Sequence, residues 1–77
     1  MKAIRKKEIP QIVINVGIKM GKIILEKKLK QRDVAHDCGL DVENLRKYIK
    51  GRQEMKISTM MKIVDALQIN VSDLFDF

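Results

Sequence analysis

Residues 31–50, QRDVAHDCGLDVENLRKYIK, hold the side chains of this chain best suited to chemistry. They include the amides of Gln31 and Asn44, the cations Arg46, Lys47 and Lys50, the acid Glu43, and the single histidine and cysteine, His36 and Cys38. Arg52 follows two residues on. His36 has no second ligand at useful spacing, so no metal site is implied. Cys38 falls on an inner helical face and reads as a small buried hydrophobe that cannot form an internal disulfide. The acids are scattered, and no Ser-His or Cys-His set stands near them. No catalytic constellation is visible, so an enzyme is not expected, and neither is a cofactor or small-molecule ligand. Lys47, Lys50 and Arg52 share one exposed face of the segment, a pattern suited to a polyanion.

The bulk properties agree. Sixteen Lys and Arg against ten Asp and Glu give a net charge of +6 over 77 residues. A small basic domain has three usual partners: nucleic acid, anionic membrane or acidic protein. No apolar stretch approaches the roughly 20 residues of a membrane span. The charged run over residues 2–8 precedes no clean hydrophobic segment, so no secretory signal is expected. These features, with one cysteine, point to a reduced, cytoplasmic protein. The length suits one domain with a thin core and a stability of roughly 5 kcal/mol. Only Tyr48, Phe75 and Phe77 are aromatic, leaving Ile, Leu, Val and Met to fill an interior of packed helices.

The elements that must position these residues are read from periodicity. Residues 1–15 are expected to be a basic N-terminal arm and residues 16–77 the domain. Ile12, Ile14 and Val16 alternate after Pro10, so residues 9–16 read first as a short strand and second as an early turn of helix. A first helix is predicted over 18–28 and a second over 31–38, with Val34, Ala35 and Cys38 inward. Gly39 stands where a left-handed residue ends a helix. Asp41 is a candidate N-cap for a third helix over 42–50, with Leu45, Tyr48 and Ile49 inward and Gly51 as its stop. Ser58 is the expected cap of a fourth helix over 59–67, with Met60, Ile63, Val64 and Leu67 inward. Asn70 and Asp73 suggest a capping box for a short helix over 71–75, with Leu74 and Phe75 closing the core. The reading is a compact all-α domain of five helices.

Two short helices crossing steeply need a small residue at the crossing, a residue tolerant of positive φ in the turn, and an aliphatic residue pointing back. Ala35, Gly39 and Leu45 supply these, so residues 31–50 read as a helix-turn-helix. The wider stretch from about Val16 to Phe75 resembles the Cro and phage-repressor (lambda-repressor-like, XRE-type) family. The resemblance is carried by KKLKQRDVA, the turn CGLD, the ending IKG, and STMMKIVDALQINVSDLF.

The resemblance implies a regulator, expected to be a repressor, that binds double-stranded DNA as a homodimer with the third helix in the major groove. Gln31 resembles the family glutamine that holds a phosphate. Val42, Glu43 and Asn44 occupy the exposed first turn that touches base edges. Lys47 lies one turn on, Arg46 on the flank within reach of phosphate, and Lys50 and Arg52 at the loop that clamps the far backbone. By residue type, Asn44 suits adenine, Lys47 guanine, Glu43 the cytosine amine and Val42 the thymine methyl. Glu43 has a second reading, as a partner along the helix to Arg46 or Lys47.

Two departures from the family pattern stand out. Lys30 replaces the Ser or Thr that caps the second helix. Ile24 and Ile49 stand at the positions where some phage members of the family hold a buried Arg–Glu pair, which implies a drier core. The arm has three readings: a groove-binding tail, a disordered segment, or the lead-in to a strand that pairs with a two-fold mate. The alternative function is a protein-interaction module, such as an antitoxin or controller partner, in which DNA binding is secondary.

Overall fold

The computed structural model describes residues 8–77, so the expected basic arm over residues 2–7 lies outside the described residues. Four α-helices and one short 3-10 helix follow in order: α1 (Gln11–Glu26), α2 (Gln31–Asp37), α3 (Val42–Ile49), α4 (Ile57–Leu67) and the 3-10 turn Val71–Phe75. The fold is all-α, and no strand occurs among the described residues.

The strand expected over residues 9–16 is therefore replaced by helix, and residues 11–15 belong to α1 rather than to an arm. Pro10 sits at the N-cap, where its missing N–H removes no helical bond. Its carbonyl accepts from the Val13 and Ile14 amides at 3.0 and 3.4 Å. Val16, Met20, Ile23 and Ile24 are buried at helical spacing, and Val13 extends the stripe as a half-buried residue. β-branched residues lower helix propensity by at most about 0.7 kcal/mol each. Burying one such side chain is worth about 1.5–3 kcal/mol, so packing decides the conformation.

All four α-helices end alike, with two backbone bonds wrapped around a left-handed residue. Lys28 N donates to Leu25 O and Leu29 N to Ile24 O, both at 3.0 Å. Gly39 with Leu40, Gly51 with Arg52, and Gln68 with Ile69 repeat the pattern on α2, α3 and α4. The left-handed residues have φ of +59° (Lys28), +70° (Gly39), +69° (Gly51) and +56° (Gln68).

The N-termini differ from one another. Asp41 caps α3, accepting from the Glu43 amide at 3.4 Å. Lys30 offers α2 no side-chain cap, as its chemistry requires. Ser58 does not cap α4, contrary to expectation. The Lys56 carbonyl takes the Met60 amide at 3.0 Å, so the helix begins at Ile57 and Ser58 lies exposed inside its first turn. The 3-10 turn opens with the expected capping box, in which the Asn70 amide donates to Asp73 Oδ2 at 2.9 Å. Leu74 is fully buried, but Phe75 is exposed rather than part of the core. At three residues per turn, Phe75 is rotated well away from the face that Leu74 buries.

Met20, Ile24, Leu45, Ile63, Leu67 and Leu74 form the centre of a core that contains no buried polar or charged side chain among the described residues. The 3-10 turn packs on α1, α4 on α2, and α3 on both α1 and α2. The seam between α1 and α3 is close-packed. A Cβ on Gly17 would overlap the Tyr48 carbonyl oxygen, and one on Gly21 would lie 2.9 Å from Ile49 Cγ2. Gly51 returns the contact, since its Cβ would sit 3.1–3.3 Å from Ile14. Among the described residues, no helix is long and apolar enough to cross a membrane.

Two stability predictions follow from this geometry. Gly17→Ala must push α3 off α1 and is expected to cost about 3 kcal/mol, seen as a drop in thermal midpoint of more than about 10 °C by circular dichroism. Lys28→Gly removes a left-handed penalty at an exposed site and is expected to raise stability by about 1 kcal/mol in urea titrations.

Candidate nucleic-acid interface

The helix-turn-helix is built from the inside. Val34 and Ala35 of α2, Cys38 at its C-cap, and Leu45 and Tyr48 of α3 are all buried, and Leu40 packs half-buried against the core they belong to. A Cβ on Gly39 would meet nothing within 4 Å, so the turn needs glycine for its positive φ rather than for space. With Leu45 and Tyr48 inward, the 3.6-residue period turns Glu43, Lys47 and Lys50 to the opposite side of α3.

Glu43, Arg46, Lys47, Lys50 and Arg52 are exposed, while Gln31, Val42 and Asn44 are half-buried. Val42 packs against the core, which leaves only part of its side chain outward. Lys50 is the C-cap of α3 and Arg52 lies just past the left-handed Gly51. The face thus continues from α3 into the following loop.

A polar strap joins the two helices across their outer surface. Arg46 Nε donates to Gln31 Oε1 at 3.4 Å, and Arg46 Nη1 pairs with Glu43 Oε1 at 3.5 Å. The second reading of Glu43, as a partner of Arg46, matches this contact. The link from Gln31 to Arg46 was not expected from sequence, since the two residues are 15 apart. Gly17 and Gly21, which seat α3, were also missed. Their signal is two glycines one turn apart on one helical face.

His36 is exposed, and no cluster of three potential metal ligands exists among the described residues. Cys38 is buried, and its Sγ donates to the Lys62 carbonyl at 3.6 Å, joining α2 to α4 behind the exposed face.

Residues 19–77 match the profile of the Cro/C1-type HTH DNA-binding domain. No curated protein matches the chain. Several solved structures share its fold. The restriction-modification controller protein C.AhdI from Aeromonas hydrophila superposes with a TM-score of 0.81 at 23% identity, over 86% of this chain and all of that one. The clp gene regulator ClgR from Corynebacterium glutamicum gives 0.82 at 20% identity, over 86% of each chain. A hypothetical transcription factor, NHTF, from Neisseria gives 0.76 at 24%, over 95% of this chain and 87% of that one.

Burial pushes the Cys38 thiol up, Asp37 adds to the rise, and Lys62 opposes it. The folded thiol thus holds its proton to higher pH than the unfolded one. Its contribution to stability is complete below the unfolded value and is lost as pH rises through the folded value. Alkylation by iodoacetamide at about pH 8 is expected to be at least about tenfold slower in the folded protein than in denaturant. Equal rates would contradict the buried placement.

Proposed function

The chain belongs to the Cro/C1-type HTH DNA-binding domain family, and from that premise we propose that it is a small cytoplasmic transcriptional repressor. In this reading it binds duplex DNA sequence-specifically as a homodimer, inserts α3 into the major groove, and has no catalytic activity. The observation that carries the proposal is the outward face of α3 and its following loop, where Lys47, Lys50 and Arg52 stand exposed above an apolar scaffold. Two of these cations, Lys50 and Arg52, take phosphates. Gln31 takes another: its oxygen is engaged by Arg46, so its amide N–H groups are the end left for an outside acceptor. Asn44 reads adenine and Lys47 guanine, with the outer edge of Val42 against a thymine methyl.

The homodimer is supported by the resemblance and by an apolar cleft of about 120 Å³, open among the described residues and lined by Ile12, Val13, Val16, Met55, Met60 and Phe75. With helix in place of the expected strand, this cleft is an apolar surface on which a second copy can pack. Two recognition helices would then enter successive major grooves about 34–36 Å apart. The same cleft favours the second reading, a protein-interaction module whose DNA binding is secondary.

Binding measured across salt separates the two readings. Specific DNA binding predicts a log–log slope of about −0.9 per phosphate neutralised and a competitor-resistant complex on one sequence. Lys50→Ala should weaken all duplexes alike and flatten the slope by about 1, whereas Asn44→Ala should relax preference at one base pair by about 1–3 kcal/mol. No complex on any genomic fragment would sink the repressor reading.

A further inference from the structure

Glu43 is an acid on a face that the proposed function requires to approach polyanionic DNA. The strap explains its presence. Its carboxylate holds Arg46 Nη1 at 3.5 Å, and the same guanidinium donates through Nε to Gln31 Oε1 at 3.4 Å. Arg46 is thereby drawn along the protein surface, between the start of α2 and the first turn of α3. Building on the DNA-binding reading, we infer that Glu43 is a specificity-determining residue acting through Arg46: it withholds one cation from indiscriminate phosphate contact and does not itself read a base.

Three observations lead there. First, the carboxylate is already engaged, by a partner one turn along its own helix. A cytosine amine would have to share the carboxylate with Arg46. Second, the pair is largely exposed, at 46% for Arg46 and 65% for Glu43. Such a pair is weak enough to bias where a cation points without locking it. Third, Arg46 sits on the flank of α3, beside rather than within the strip formed by Glu43, Lys47 and Lys50.

Specificity is a difference between affinities. Non-specific binding rests on phosphate neutralisation alone, whereas a cognate site adds the base contacts of Asn44 and Lys47. A cation lost equally from both complexes cancels in that difference. The strap discriminates because only the cognate complex, its register fixed by those base contacts, holds a phosphate where Arg46 meets it on leaving Glu43. The strap has a second effect. By accepting from Arg46, the Gln31 amide keeps its N–H donors free, the polarity that a phosphate needs.

The test uses the parent, Glu43→Gln, Arg46→Ala and the double variant on a random-sequence duplex of about 30 base pairs, read by fluorescence anisotropy across salt. Glu43→Gln is expected to tighten binding several-fold and to steepen the slope by about 0.9, one additional phosphate. In the Arg46→Ala background the same substitution should leave the slope unchanged. An equal change in both backgrounds would show a general charge effect and overturn the proposal.

Selection from a randomised duplex library adds an independent arm. Glu43→Gln should retain the parent's preferred bases with a weaker preference throughout. Loss of a cytosine at one position, with random-duplex affinity unchanged, would instead make Glu43 a base reader. Without DNA, the Arg46 Nε–H should exchange faster in Glu43→Gln and Gln31→Ala than in the parent, and equal rates would overturn the strap itself. A parent that binds no duplex at any salt would defeat the DNA-binding reading, a failure visible before any variant is measured.

Discussion

Where α1 passes under the last turn of α3, the two backbones meet at Gly17 with no side chain between them. Gly17 faces the Tyr48 carbonyl, Gly21 faces the Ile49 side chain, and Gly51 faces Ile14. This contact sets the distance and tilt of α3 against the rest of the domain. Leu45 and Tyr48 then fix its rotation, because both are buried and lie on one face. Once position and rotation are set, the outward residues of α3 have no further freedom beyond their own side chains. The exposed cations are therefore aimed by a glycine seam on a different helix.

The chain path between helices depends on one local device used four times. Each α-helix closes with a residue at positive φ and a backbone bond reaching back from the residue after it. Glycine occupies that position at residues 39 and 51, where the helix-turn-helix begins its turn and where α3 ends. Lys28 and Gln68 occupy it without glycine's freedom. In both cases the next residue is apolar, Leu29 or Ile69, and Ile69 packs on the core. Partial burial of Ile69 holds the turn at Gln68 where the backbone preference opposes it, whereas Leu29 is exposed and the turn at Lys28 rests on its two backbone bonds.

The sequence was most legible where geometry and composition coincide. Val34, Ala35, Cys38, Gly39, Leu40, Leu45 and Tyr48 could be placed because each position in a helix-turn-helix tolerates few residue types. Asp41 and the Asn70–Asp73 box were legible as local caps that need no tertiary partner. Residues 9–16 misled because β-branched alternation and the start of an amphipathic helix look alike over so few residues, and the buried stripe that decides between them continues well into α1. Ser58 misled because a good cap residue forms a cap only if the helix starts beside it. The strap from Gln31 to Arg46 joins residues distant in sequence across two helices, and its geometry exists only after they cross.

The division between apolar interior and polar exterior has a mechanical consequence. A buried Arg–Glu pair would have linked α1 to α3 with directional bonds in a dry medium, at a large desolvation cost. Here Ile24 and Ile49 stand at those positions, and no polar side chain is buried among the described residues. Apart from the weak Cys38–Lys62 carbonyl contact, orientation of the helices then rests on shape: glycine seams, aliphatic packing and left-handed turns, all stiff against small displacement. Polar linkage between α2 and α3 is left to the exposed strap, which yields easily because water competes for each of its bonds. Stiff helices carrying side chains on soft tethers can hold one docking geometry while Arg46, Gln31 and Glu43 rearrange against whatever they meet.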